Sequence, residues 1–129
     1  MKTYYAVALS MFAGAALGAV AIQGLHAQAK PPGYVIALID VTNQDGFVKE
    51  FAPLATKALG AGDPGYKALV RGGKTVAIDG DLPTSRIVVN VFSDMDHAVA
   101  AYTSPDYKAA RVVGDKYAKF RIFAVEGAQ

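Results

Sequence analysis

The order of its apolar segments is the feature that most narrows the fold of this chain. Four runs are rich in β-branched and apolar residues, as strands are, and stretches with apolar residues at helical spacing separate them. The predicted strands cover residues 34–41, 66–71, 86–92 and 119–125. One predicted helix follows the first strand and another follows the third. The resulting order, strand, helix, strand, strand, helix, strand, is the split βαβ pattern of a ferredoxin-like α+β fold.

Local signals support the helix starts and add one hairpin. Asn43 can cap the first helix through its side-chain oxygen, and Pro53 inside that helix predicts a kink or a restart. Ser93 is predicted to cap the second helix, which restarts at Ser104 with a proline in the first helical position. Glycine turns around residues 75–79 predict a short return strand, and therefore an extra hairpin before the third core strand.

Alternation along the predicted strands gives the sheet two unlike faces. The face expected to pack on the helices is almost purely apolar and consists of Ile87, Val89, Val91, Phe120, Ile122 and Ala124. The opposite face is expected to carry Tyr34, Ile36, Leu38, Asp40, Arg86, Val88, Asn90, Phe92, Lys119, Arg121, Phe123 and Val125. This second face is too apolar for water, yet it contains several charges. A second copy of the chain covering it would explain both observations, so we expect a homodimer.

The first 29 residues have the three parts of a secretory signal peptide. Lys2 provides the basic start, residues 4–22 are apolar, and Ala27 and Ala29 form an Ala-x-Ala cleavage site. We therefore predict a signal peptide over 1–29, a linker over 30–33 and one domain over 34–127. The predicted location is periplasmic or secreted, without membrane contact after cleavage. A retained anchor is the alternative, because the apolar run approaches the roughly 20 residues that span a bilayer.

Charge and composition exclude several classes of function. The formal net charge is +2, and no run of basic residues is present, so no nucleic-acid partner is predicted. The chain has no cysteine, which removes disulfides and thiolate chemistry. His97 is the only histidine after the leader, whereas a zinc site needs three or four ligands. No metal and no other cofactor is therefore predicted.

Several segments resemble a known family. They read YVIA at residues 34–37, LVRGG at 69–73, YTSPDY at 102–107 and FRIFAVEG at 120–127. In this order they resemble domain of unknown function 1330, over about residues 33 to 127. The resemblance implies ferredoxin-like domains that pair into a dimeric α+β barrel, and it implies no settled activity. Leu82 stands where many members have an aromatic residue, so no ligand preference is carried over.

The candidate ligand-binding residues are three arginines, two tyrosines and one histidine: Arg71, Arg86, Arg121, Tyr102, Tyr107 and His97. Converging arginines can bind a carboxylate or phosphate through paired hydrogen bonds. Their alternative role is in salt bridges across a dimer. The tyrosines could line an aromatic pocket or simply belong to the core. The histidine could act as an acid or base, although neighbouring aspartates at a helix start also suit capping.

Two functions stay open at this point. The first is an exported, non-catalytic homodimer with a pocket for a small organic molecule. The second is a cofactor-independent enzyme, monooxygenase-like or isomerase-like, by analogy with other dimeric α+β barrels. A cavity with a poised acid or base would favour the enzyme, and an apolar cavity would favour binding. No catalytic residue is assigned from the sequence.

Overall fold

The structure is a computed structural model that describes residues 30–128. The predicted signal peptide over 1–29, with its cleavage site at Ala27 and Ala29, lies outside the described residues. The strands are β1 (Gly33–Val41), β2 (Lys67–Arg71), β3 (Arg86–Phe92) and β4 (Ala118–Glu126). The helices are α1 (Gln44–Gly46), a π-helical turn (Phe47–Phe51), α2 (Ala52–Gly60), α3 (Met95–Tyr102) and α4 (Pro105–Gly114). No helix of this part of the chain is long and apolar enough to cross a membrane.

The four strands form one antiparallel sheet in the order β2-β3-β1-β4. This order, with both helical segments connecting strands that are not neighbours, confirms the ferredoxin-like α+β prediction. Ala37 in the centre of β1 lies opposite Val88 of β3 on one side and Ile122 of β4 on the other. β2 is an edge strand, and its register shifts between Ala68 and Val70.

The predicted return strand over residues 75–79 is not formed, so the extra hairpin was wrong. Its two large apolar side chains, Val76 and Ile78, are 69% and 97% exposed and therefore have no partner surface. A two-stranded hairpin without such a surface is marginally stable at best. The segment returns to the sheet at Thr84, whose hydroxyl donates to the Ile39 carbonyl at 2.7 Å.

The helix starts follow the sequence, with one correction. Asn43 accepts from the Gly46 amide at 3.0 Å, and Ser104 accepts from the Tyr107 amide at 3.2 Å, as caps do. Pro53 follows a π-helical turn, so the predicted break is present. The cap of α3 is Asp94 and not the predicted Ser93.

Ser93 donates hydrogen bonds to the buried Asp63 carboxylate instead of capping the helix. Asp63 accepts from the Ser93 hydroxyl at 2.6 Å, from the Ser93 amide at 2.8 Å and from the Gly65 amide at 2.8 Å. Burial alone would raise the pKa of Asp63, but these hydrogen bonds outweigh it and leave the pKa below its usual value. Asp63 thereby fixes the loop before β2 to the end of β3.

The predicted faces are correct for β4 and reversed for β3. Phe120, Ile122 and Ala124 pack against the core beneath the helices, as expected. In β3, however, Phe92 and Asn90 are the buried side chains, 1% and 2% exposed. Both sides of β3 are apolar, so alternation alone could not tell which side the helices cover. A shift of one residue exchanges the two faces of a strand.

The register therefore defines a different second face, which we call the open sheet face. Its residues are Tyr34, Ile36, Leu38, Asp40, Lys67, Val70, Ile87, Val89, Val91, Lys119, Arg121, Phe123 and Val125. None of them is buried within residues 30–128. Phe123 and Val125 are 50% and 48% exposed. β3 therefore contributes only apolar side chains to this face, because Arg86 and Asn90 lie on the other side, and the charges of the face come from β1, β2 and β4.

Candidate functional site

A cavity of about 140 Å³ lies between the helix-facing side of the sheet and the helices. Its walls are mostly apolar and include the rings of Phe47, Phe51 and Phe120. Seven residues with polar side chains also line it: Thr56, Tyr66, Arg71, Arg86, Asn90, Tyr102 and Tyr107. A largely apolar concave site with a few converging polar groups is the usual form of a small-molecule site.

Arg86 lies on the cavity side of β3, with its guanidinium over the Phe47 ring, 5.1 Å from the centroid. Its Nε atom is buried and has no hydrogen-bond partner. Burial lowers the pKa of Arg86, although a guanidinium keeps its proton in a protein. A buried donor without a partner is destabilising. Arg86 is therefore placed to gain from an acceptor that enters the cavity.

The turn after β2 makes room for this guanidinium. Gly72 has a φ of +68°, in the left-handed region that favours glycine. A Cβ atom at Gly72 would lie 2.6 Å from the Cζ atom of Arg86, which is too close. The Arg-Gly turn seen in the sequence thus has two effects: it ends β2 at Arg71, and it seats Arg86.

Arg71 gives the cavity a second guanidinium. It lies opposite Val88 in the register of β2 and β3, and it is exposed to solvent. Within residues 30–128, no carboxylate forms an ion pair with Arg71 or Arg86. None of the residues lining the cavity is an aspartate or glutamate. The cavity therefore has two positive charges and no counter-charge in the part of the chain that the structure describes.

The other end of the cavity holds an amide and two phenols. The Asn90 Nδ2 group donates to the Tyr102 hydroxyl at 2.8 Å, and the Asn90 Oδ1 atom is buried without a hydrogen-bond partner. The Tyr102 ring packs edge-on against Tyr107, with centroids 4.7 Å apart. Burial raises the pKa of both tyrosines, and the Asn90 and Arg111 contacts offset it only in part. Both hydroxyls stay protonated near neutral pH, so neither is a ready base.

The structure brings four of the six predicted site residues to one cavity: Arg71, Arg86, Tyr102 and Tyr107. Arg121 and Arg86 were expected on the same face, and that expectation was wrong. The Arg121 side chain lies on the open sheet face, where it donates to the Pro83 carbonyl at 2.6 Å. Arg121 is not among the residues that line the cavity.

His97 also lies apart from the cavity. It is exposed at the start of α3, and its Nδ1 atom lies 2.7 Å from the Asp94 carboxylate. The hydrogen bond to Asp94, together with the charge of Asp94, raises the pKa of His97. Among residues 30–128, no cluster of three or more histidines and carboxylates could hold a metal ion.

Sequence reasoning missed Asn90 as a site residue. β3 is apolar except for Arg86 at its start and Asn90 in its interior, and Asn90 is its one neutral polar side chain. That isolation was a usable signal, because a strand interior disfavours asparagine. Tyr66 and Thr56 were missed as well, and nothing in their local sequence distinguishes them.

Comparisons with known proteins agree with this fold. A model of DUF1330, a domain of unknown function, matches residues 32–128. A comparison with curated proteins gives no match.

Solved structures are similar in fold at low sequence identity. A putative antibiotic biosynthesis monooxygenase from Caulobacter crescentus is 20% identical, with a TM-score of 0.55, over 78% of this chain and 93% of that one. SnoaB, a cofactor-independent oxygenase from Streptomyces nogalater, is 16% identical, with a TM-score of 0.50, over 77% and 95%. A dimeric ferredoxin-like protein of unknown function from Thermobifida fusca is 21% identical, with a TM-score of 0.50, over 78% and 92%.

Proposed function

Since the chain belongs to DUF1330, a family of domains of unknown function, we propose a function from the cavity of this protein. The protein binds a small organic anion in the cavity between the sheet and the helices. The observation that carries this proposal is the pair of arginines, Arg71 and Arg86, in a cavity without an acidic residue. Charged hydrogen bonds from guanidinium groups to a carboxylate are among the strongest that proteins form. The apolar walls would hold the organic part of the ligand.

Calorimetric titration with benzoate tests this proposal. Benzoate should bind the unmodified protein, and Arg86→Met should weaken the binding at least tenfold, because the buried donor is lost. Arg121→Met is the matched control, since this arginine lies on the other face of the sheet and should leave benzoate binding unchanged. If no organic carboxylate binds, or if both variants bind as the unmodified protein does, the proposal fails.

We also propose that the protein is a homodimer joined through the open sheet face. Large apolar patches of this kind usually mark an interaction site. The Thermobifida fusca neighbour, described as dimeric, shares the fold. Covering the exposed half of Phe123 alone would contribute about 1 kcal/mol per protomer.

Phe123→Lys tests the interface by analytical ultracentrifugation. The variant should be monomeric at concentrations where the unmodified protein is dimeric. Val112→Lys is the control, because Val112 is a 68% exposed residue of α4 outside the sheet and its replacement should not change the mass. A dimer that survives Phe123→Lys would place the interface elsewhere.

Export of the protein is a further part of the proposal, and it rests on the predicted leader alone. Expressed with its own leader, the protein should appear in the periplasm or the medium, and its chain should start at Lys30. Mass spectrometry of the recovered protein measures this start. A membrane-bound chain that retains residues 1–29 would support the anchor instead.

A cofactor-independent oxygenase is the second candidate function. It is favoured by the fold shared with SnoaB and with the Caulobacter protein. The cavity residues give it less support, because Tyr102 and Tyr107 stay protonated near neutral pH and the lining has no carboxylate or histidine. Oxygen uptake after addition of a ligand found to bind would favour the enzyme, and its absence would leave the binding function.

A further inference from the structure

Two buried atoms of the cavity are left without hydrogen-bond partners, and they are chemically complementary. The Arg86 Nε atom is a donor, and the Asn90 Oδ1 atom is an acceptor. Both residues line the same cavity. Since buried polar groups are nearly always satisfied in native proteins, such exceptions call for a partner. The partner must offer an acceptor at one end and a donor at the other.

The two residues lie at different positions along the cavity. Arg86 and Asn90 are four positions apart on β3, so their side chains leave the same face about 13 Å apart along the strand. A partner that satisfies both atoms must therefore carry its two polar groups at opposite ends. Val88 lies between the two residues on the same face and forms part of the cavity wall.

The volume and the walls suit a ligand whose body is a single ring. An apolar cavity of about 150 Å³ in another protein holds one benzene molecule, and the present cavity measures about 140 Å³. Rings of Phe47, Phe51 and Phe120 border it and suit aromatic contact. The exposed position of Arg71 leaves space for a charged group at that end.

The orientation of the Asn90 amide is fixed by a neighbour. Its Nδ2 group already donates to the Tyr102 hydroxyl at 2.8 Å, so the oxygen is the atom left for a ligand. Asn90 is 2% exposed, which keeps water from competing freely for that oxygen. A ligand must therefore bring its own donor to this end.

We infer that the cavity selects a single-ring aromatic carboxylate with a hydrogen-bond donor para to the carboxylate, as in 4-hydroxybenzoate. The carboxylate accepts from Arg86 and Arg71, and the para hydroxyl donates to the Asn90 oxygen. Para positions place the carboxylate and the donor at opposite ends of one ring, whereas ortho positions place them side by side. The inference rests on the proposed anion-binding function and adds the identity of the ring and the position of the donor.

Titration of the unmodified full chain with a series of carboxylates tests this inference. We expect 4-hydroxybenzoate and 4-aminobenzoate to bind at least tenfold more tightly than benzoate, which corresponds to about 1.4 kcal/mol. The control ligands are 4-methoxybenzoate, which has no donor, and 2-hydroxybenzoate, which has it in the wrong place. Both should bind no better than benzoate. The two-ring 6-hydroxy-2-naphthoate should bind more weakly than 4-hydroxybenzoate.

The Asn90→Leu variant, which has nearly the same shape, isolates the acceptor. In this variant the preference for 4-hydroxybenzoate over benzoate should disappear. If this variant does not fold, the ligand series on the unmodified protein still decides the question. Equal affinity for benzoate and 4-hydroxybenzoate, or tighter binding of the two-ring acid, would overturn the inference while leaving anion binding intact. Failure of every carboxylate to bind would overturn both.

Discussion

Replacing Arg86 by methionine separates the stability of the empty protein from its capacity to bind an anion. Methionine keeps the unbranched apolar stem against the Phe47 ring and removes the guanidinium. The charge that is removed has a buried Nε donor with no partner and lies beside no carboxylate of residues 30–128. Replacing an arginine that supports the fold would lower the free energy of unfolding, whereas replacing an arginine that serves only to bind a ligand would not.

The magnitude follows from two opposing contributions. An unsatisfied buried polar group destabilises a protein by about 1 to 3 kcal/mol, and that penalty disappears in Arg86→Met. The contact of the guanidinium with the Phe47 ring, at 5.1 Å, contributes about 0.5 to 1 kcal/mol and is lost. The balance favours the variant, which should be about 1 kcal/mol more stable than the unmodified protein in the absence of ligand.

Urea denaturation followed by circular dichroism measures this difference, and the two proteins should show equal slopes. Arg111→Met is the stability control, because this guanidinium is satisfied. It stacks on Phe120 at 3.9 Å and bonds the Asp115 carboxylate at 3.0 Å. This control should lose about 0.5 to 1 kcal/mol. With saturating benzoate the unmodified protein should gain stability, and Arg86→Met should not.

A loss of more than about 1 kcal/mol in unliganded Arg86→Met would refute the reasoning, since that is the largest ring contact it allows for. It would mean that the guanidinium supports the fold through interactions of its own. Weakened benzoate binding could then not be read as the loss of a ligand contact.

Three further substitutions test other parts of the structure. Asp63→Asn should cost about 2 kcal/mol at pH 7 by urea denaturation. Because the folded pKa of Asp63 is lowered, its stabilisation is present above the unfolded pKa and is lost as the pH falls, so the variant should lose less stability between pH 5 and 3. Gly72→Ala should lower stability by about 1 to 2 kcal/mol and weaken benzoate binding by displacing Arg86, whereas Gly73→Ala, whose Cβ meets open space, should do neither. The raised pKa of His97 gives stability that is present below the unfolded pKa and is lost as the pH rises, so His97→Gln should flatten the decline in melting temperature between pH 6 and 8.5.

The order of the elements could be predicted because each rests on local signals. Asn43 and Ser104 cap their helices through their own side chains, and Pro53 interrupts a helix wherever the fold places it. Ser93 shows the limit of such signals, since its hydroxyl was available as a cap but bonds Asp63, thirty positions away. No local sequence pattern indicates that the Ser93 hydroxyl will bond Asp63 rather than cap α3.

The orientation of β3 needed information from outside the strand. Its faces are decided by pairing with β1, where Val35, Ala37 and Ile39 alternate with larger, half-buried neighbours. Both faces of β1 are apolar as well, so the hydrophobic pattern of one central strand does not show which face of the other is buried. The cavity was consequently predicted in part: the residue types were right, but Arg86 and Arg121 could not be separated until the register was known.

The two polar side chains of β3 argue most directly for a ligand. The strand has two faces, and Arg86 and Asn90 both point to the one that the helices cover, while Ile87, Val89 and Val91 point to the open sheet face. For the stability of an isolated domain this arrangement is the wrong way round, because the polar groups are buried and the apolar ones are left half-exposed. Violations of this kind are expected at functional sites. A second copy on the open sheet face and an anion in the cavity would each remove one of the two penalties, so the same strand accounts for both proposals.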